Sequence, residues 1–96
     1  MYVVWVEFTV HAERTGAFLT RVQQQARDSL EKEPDCHHFD VCVDRDDPRI
    51  VVLYELYSDE AAFKVHLASD HFQAFDAEVS DWLVEKVVKT FDRQNA

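Results

Sequence analysis

Ninety-six residues carrying a formal charge of −9, from nineteen acidic and ten basic side chains, describe one small acidic domain. That charge disfavours nucleic acid and anionic membranes, whose phosphates need clustered Lys and Arg, and a single glycine, Gly16, rules out a Gly-rich phosphate loop. At 47% hydrophobic, with seven Phe, three Tyr and two Trp, the chain is rich in apolar groups for its length, which points to apolar surface buried against another subunit.

Residues 1–10 read as a β-strand. Val3, Val4, Trp5, Val6, Phe8 and Val10 make it apolar on both faces, so both are expected to be covered. The stretch alternates and carries Glu7 early, unlike a secretory leader, and no apolar run is long enough to span a bilayer. A cytoplasmic location is the corresponding expectation.

Residues 11–31 read as a helix beginning at His11. Phe18, Val22, Ala26 and Leu30 recur every four residues and, with Leu19, form one apolar stripe. Glu33-Pro34-Asp35 stops it. Cys36 to Asp44 reads as a second strand, with His37, Phe39, Val41 and Val43 on one face and Cys36, His38, Asp40 and Cys42 on the other. Arg45 to Arg49, "RDDPR", is a turn.

Ile50 to Tyr57 reads as a third strand, again apolar on both faces. A hairpin closing near Asp46-Asp47 sets Glu55 opposite His38 and Tyr54 opposite Phe39. Ser58-Asp59-Glu60 starts a second helix with a hydroxyl cap and acids at the positive end of the dipole. Ser69-Asp70 looks like a second start, so the helix is expected to break there. Phe72, Phe75, Val79 and Trp82 continue the stripe, and Leu83 to Asp92 closes the chain as a fourth strand.

The order is βαββαβ, an α+β domain with the helices as crossovers, and residues 1–96 show no internal boundary. Two helices cover one face of a four-stranded sheet. The other face leaves apolar groups in water, so a homodimer of sheets packed face to face is expected. Cys36 and Cys42, six residues apart on one strand, stand roughly 20 Å from each other, too far for a disulfide.

The stretch from Asp35 to Phe75 resembles the antibiotic biosynthesis monooxygenase, or ABM, family. The matching positions are Cys36, Phe39-Asp40-Val41, Pro48, Tyr54-Glu55, Asp59 to Phe63, His66 and His71-Phe72. The resemblance implies a ferredoxin-like antiparallel sheet paired into a dimeric α+β barrel with an apolar pocket in each subunit. Members of that family include cofactor-independent monooxygenases of polycyclic phenols, YgiN-type quinol oxidases, haem degraders and the LsrG-type enzyme acting on a phosphorylated autoinducer-2 ketone. The haem degraders use Asn, Trp and His at positions aligned here with Glu7, His66 and Asp76, and none of the three matches. The polyketide oxygenases rely on Asn and Trp near the pocket, whereas the one Asn here is Asn95 and the segment from the third strand into the helix has no Trp. The YgiN-like and LsrG-like readings remain.

His66 and His71, with Glu55 on the strand end beneath them, are the expected acid–base group. Phe63 and Leu67 share the side of the helix that turns His66 toward the sheet. His38, Phe39, Asp40, Tyr54, Phe63, Phe75 and Trp5, with Trp82 as a further aromatic wall, are the expected substrate contacts. Glu55, His66 and His71 have the donor types of a facial metal triad, but the two His straddle a helix break rather than sharing a helical i, i+4 pair, so no metal is expected. No other cofactor is expected either.

A His held by a carboxylate can take the proton of a phenol or enediol. The resulting reading is a cofactor-independent oxygenase or oxidase of a small quinol-like compound. The rival enzyme is an LsrG-like isomerase, whose phosphate would need Lys64, Arg45, Arg49 or Lys86. The third reading is a dimer that binds a small ligand without turning it over.

Overall fold

The computed structural model describes residues 1–95. The strands are β1 (Tyr2–Val10), β2 (Cys36–Val43), β3 (Ile50–Tyr57) and β4 (Leu83–Asp92). The helices are α1 (Thr15–Lys32), α2 (Glu60–Ala68) and α3 (Asp70–Val79), with single 3-10 turns at Ala12–Arg14 and Ser80–Trp82. All strand pairs are antiparallel in the order β2-β3-β1-β4, which is the expected ferredoxin-like α+β arrangement.

The alternation of β1 sorts its residues. Val4, Val6, Phe8 and Val10 face the helices and are buried with Leu53, Val51, Phe18, Val22, Phe75 and Val79. Trp5 lies on the opposite face and keeps 38% of its surface exposed. Its cross-strand neighbours on that face are Tyr54 and Lys89, and Val52 and Val87 flank Glu7 one step along. The last described residues lie over part of this face: Arg93 donates its N–H to Met1 O at 3.0 Å, and Arg93 and Asn95 line a groove with His38, Asp40, Tyr54 and Leu56.

Three sequence expectations change here. The first helical turn after β1 is 3-10, and α1 begins at Thr15 rather than His11. Its buried face drifts from the four-residue repeat: Gln25 and Ser29 are buried while Leu30 is 45% exposed. A helix turns 3.6 residues per repeat, so a stripe built only from fourfold steps rotates off the core after two or three turns. At the start of α2 the cap is the Asp59 carboxylate, which accepts from Ala62 N at 2.8 Å. Ser58 Oγ instead donates to Asp35 at 3.0 Å and meets His37 Nε2 at 2.7 Å.

The fourth change sets the site. The β2–β3 ladder slips between Cys36 and His38, so His37 is an extra residue in β2. Cys36 and Phe39 therefore share the buried helix side. Glu55 stands opposite Phe39, and Tyr54 opposite Asp40. The expected register was off by one, and a one-residue slip changes the face on which every paired side chain meets its neighbour.

Candidate functional site

Three segments converge over the β2–β3 end of the sheet. Glu33 is the residue just past α1; its N–H closes the last turn on Ser29 O at 3.1 Å, and Pro34 prevents continuation. Its carboxylate is thereby turned inward, and the residue is buried. His66 follows Ala62 by one turn on the inner side of α2, and both are buried. Ser69 then breaks the helix: its Oγ donates to His66 O at 2.7 Å and accepts from Phe72 N at 3.2 Å. The break starts α3 beside α2 and brings the rings of His66 and His71 to 5.9 Å between centroids.

The central pair is His66 with Glu33. His66 Nδ1 lies 2.9 Å from Glu33 Oε2, with both side chains nearly inaccessible. A nitrogen facing a carboxylate carries the proton, so the neutral ring keeps its lone pair on Nε2. That nitrogen faces Glu55 Oε1 at 4.0 Å, beyond hydrogen-bond range. Glu55 is instead held by Tyr57, whose hydroxyl donates to Oε1 at 2.6 Å. The expected orienting role of Glu55 thus belongs, geometrically, to Glu33.

His71 approaches the same Glu33 oxygen. Its Nε2 stands 2.7 Å from Oε2 but in a geometry that makes no hydrogen bond, and Glu33 Oε1 also lacks a partner. The other ring nitrogen, Nδ1, meets the Gln25 amide at 3.2 Å. Gln25, buried on α1, also donates to Ser29 Oγ at 3.4 Å. One oxygen of Glu33 is therefore shared by two imidazoles.

Burial pushes the Glu55 carboxyl up to about 7, against the lowering pull of the Tyr57 hydroxyl, His66 and Lys86. The negative charge of Glu33 adds to the upward shift. The Tyr57 hydroxyl is pushed far up, first by burial and then by Glu55. Burial likewise lifts the Cys36 thiol to about 12, helped by Glu33 and Glu55.

Aromatic rings surround His66: Phe72 at 5.0 Å, Tyr57 at 5.4 Å, and Phe39 and Phe63 at 6.1 Å, the last nearly parallel. An inner cavity of about 30 Å³ is lined by Glu55, His66, Gln25 and Lys86 among Phe8, Phe39, Phe72 and Phe75. Glu33 also lines an outer cleft of about 120 Å³ with Pro34, Cys36, Ala62 and Val65. The His66–Glu33 pair stands between the two.

Of the side chains singled out in the sequence, the fold brings together Glu55, His66, His71, Phe39, Phe63 and Phe75. It does not bring Trp5, His38, Asp40 or Tyr54 to His66; the register places those four on the helix-free face. Trp82 lies beyond the far end of α3 under the Arg14 guanidinium, 5.8 Å above its ring. Leu67, grouped with His66 on the inner side, is exposed. Glu33, Gln25 and Tyr57 were missed. Glu33 sits in a helix-stop motif and Gln25 in a polar run, Gln23-Gln24-Gln25, that resembles a solvated face. Only a 3.6-residue count from Phe18 and Val22 places Gln25 inward.

The sequence model of the antibiotic biosynthesis monooxygenase (ABM) family matches residues 1–78, and the chain belongs to that family. A candidate antibiotic biosynthesis monooxygenase from Nitrosomonas europaea is 28% identical, over 99% of this chain and 100% of that one, with a TM-score of 0.94. Protein SO0527 from Shewanella oneidensis is 27% identical over 94% of this chain and 87% of its own, with a TM-score of 0.86. A Mycobacterium tuberculosis protein, Rv0793, shares the fold at a TM-score of 0.90 and 20% identity, over 99% of this chain and 96% of that one. No protein of curated function matches the chain. Among the described residues no helix is long and apolar enough to cross a membrane.

Proposed function

We propose that residues 1–96 form a single ABM domain that works as a cofactor-independent oxygenase or oxidase of a small quinol-like or phenolic compound. The observation that carries this reading is His66, held through Nδ1 by a buried carboxylate while Nε2 faces an aromatic-lined cavity. In this mechanism Nε2 takes the hydroxyl proton of the substrate, and Glu33 stabilises the imidazolium that forms. The aryl oxide is electron-rich enough to reduce O2. Loss of two protons and two electrons converts a dihydroxyarene to the quinone and O2 to hydrogen peroxide. Glu55, poised to gain or lose a proton near neutrality, is the second proton acceptor.

The phosphorylated-ketone isomerase is less well supported. Among the described residues Lys86 is the one Lys or Arg lining the inner cavity, and its ammonium is engaged with Asp76 at 3.6 Å and with the Phe8 and Phe72 rings at 5.7 Å. About 30 Å³ holds a water molecule and not an aromatic ring, so in its closed form the cavity favours neither turnover nor the non-catalytic binding of a small ligand. Turnover requires the wall to open, and Phe72, partly exposed at the α2–α3 break, is the side chain placed to move. The homodimer belongs to the same proposal, with the helix-free face carrying Trp5, Tyr54, Val52 and Val87 as its surface.

The test is oxygen consumption against a panel of dihydroxyarenes, with and without chelator. Uptake that needs the protein and survives the chelator supports the reading. Ligand binding without uptake across the panel would leave the non-catalytic binder instead.

A further inference from the structure

We infer that Glu33, His66 and His71 form a binding site for one borderline divalent transition metal ion of the zinc, cobalt or nickel class. One ligand atom from each lies within 4.8 Å of the other two. Donors held about 2.0–2.2 Å from a tetrahedral zinc ion sit roughly 3.3–3.6 Å from one another. The two imidazole nitrogens facing Glu33 Oε2 stand at 2.9 and 2.7 Å from it, so the ion needs them to part by a few tenths of an ångström or more.

The unmade bonds point the same way. His71 Nε2 and Glu33 Oε1 are buried without partners. A ring nitrogen and a carboxylate oxygen 2.7 Å apart that make no hydrogen bond are what two ligands of a third centre look like. Buried orphans of this kind are rare and call for an explanation.

The outer partners fit as well. A metal-bound His turns its other N–H to an acceptor. The Gln25 amide oxygen lies 3.5 Å from His71 Nδ1, and a half-turn of the amide brings it to the 3.2 Å position. The other nitrogen of His66 faces Glu55, 4.0 Å away and fixed by Tyr57. Two imidazoles and a carboxylate suit a borderline metal better than magnesium or calcium. The outer cleft beside Glu33 gives the ion a way in. In the sequence the third donor beside the two His is Glu55; the fold supplies Glu33 instead.

This ion competes for His66 rather than assisting it, because a metal on Nδ1 replaces the proton shared with Glu33 and leaves the ring's N–H on Nε2, where the base is needed. Metal binding is measured without substrate, so it stands or falls apart from the proposed oxidation. The experiment titrates tag-free, chelator-stripped protein with Zn²⁺ by calorimetry and with Co²⁺ by visible absorption. One ion per chain is expected. His71→Ala should abolish binding, Gln25→Ala should weaken it about 10–100-fold, and His37→Ala and His38→Ala should leave it unchanged. Should His71→Ala fail to fold, Gln25→Ala carries the test. Absence of binding by the wild type, wild-type affinity retained in the His71 and Gln25 variants, or loss on changing His37 or His38 would each overturn the site.

Discussion

Glu33 Oε2 lies 2.9 Å from His66 Nδ1, joining the residue that ends α1 to the inner face of α2 in a nearly inaccessible pair. Thirty-three positions separate them in the chain, and the helix stop at Pro34 is what turns the carboxylate inward. The pair determines which nitrogen of His66 is free and which way it looks.

Glu55 should make the protein's stability depend on pH. Its carboxyl is raised from 4.5 to about 7, so between those values the folded state holds a proton that the unfolded chain releases. Its contribution is full below about 4.5 and is lost as pH rises through about 7, by up to roughly 3 kcal/mol. Glu55→Gln keeps an acceptor for Tyr57 and removes the titration. Melting temperatures of the variant should therefore fall less than those of the wild type between pH 5 and pH 8. Equal slopes would mean that Glu55 is ionised throughout.

The helix-free face should hold two copies together. Trp5→Glu puts a charge at the centre of that face, next to Tyr54 and Lys89. An interface of the expected kind exceeds about 1,000 Å² and does not tolerate an unpaired carboxylate at its core. Sedimentation at micromolar concentration should show a wild-type dimer and a folded Trp5→Glu monomer. A stable wild-type monomer would remove the dimer.

The two thiols should react at very different rates. Cys36 is buried, and burial lifts its thiol to about 12, so almost no thiolate is present at pH 8. Cys42 is exposed. At a dilution that separates the two copies, iodoacetamide should label Cys42, which shares the helix-free face with Val52, and reach Cys36 only on unfolding, as peptide mass mapping can follow. Equal labelling would place Cys36 in a looser segment than the fold describes.

Much of this architecture was legible in the sequence, and the reasons are local. Strands apolar on both faces, Pro34 and the Ser69-Asp70 start all act within a few residues, and each lies where its chemistry puts it. The family pattern from Cys36 to Phe72 added the topology. The losses in β2 have one cause, an extra residue in the strand. No Gly or Pro marks the bulge at His37, yet it returns Phe39 to the side of Cys36 and sends His38 and Asp40 to the helix-free face. Glu33 and Gln25 stayed hidden because buried polar residues look like surface until a partner is in view, and their partners, His66 and His71, lie 33 and 46 positions away.

Whether His66 is a base held by Glu33 is tested most directly by pairing rates with melting curves. Oxygen consumption with a responsive dihydroxyarene would be measured for the wild type, His66→Ala, Glu33→Gln and Glu55→Gln, each normalised to folded protein. The expected result is a fall of roughly 10²–10⁴-fold for His66→Ala, the scale of a lost general base. Glu33→Gln should fall further than Glu55→Gln, because Gln still accepts from Nδ1 but no longer stabilises the imidazolium. Its melting temperature should stay close to that of the wild type. Early unfolding of His66→Ala and Glu33→Gln with wild-type turnover per folded molecule would contradict this, and would make the pair a packed element of the core.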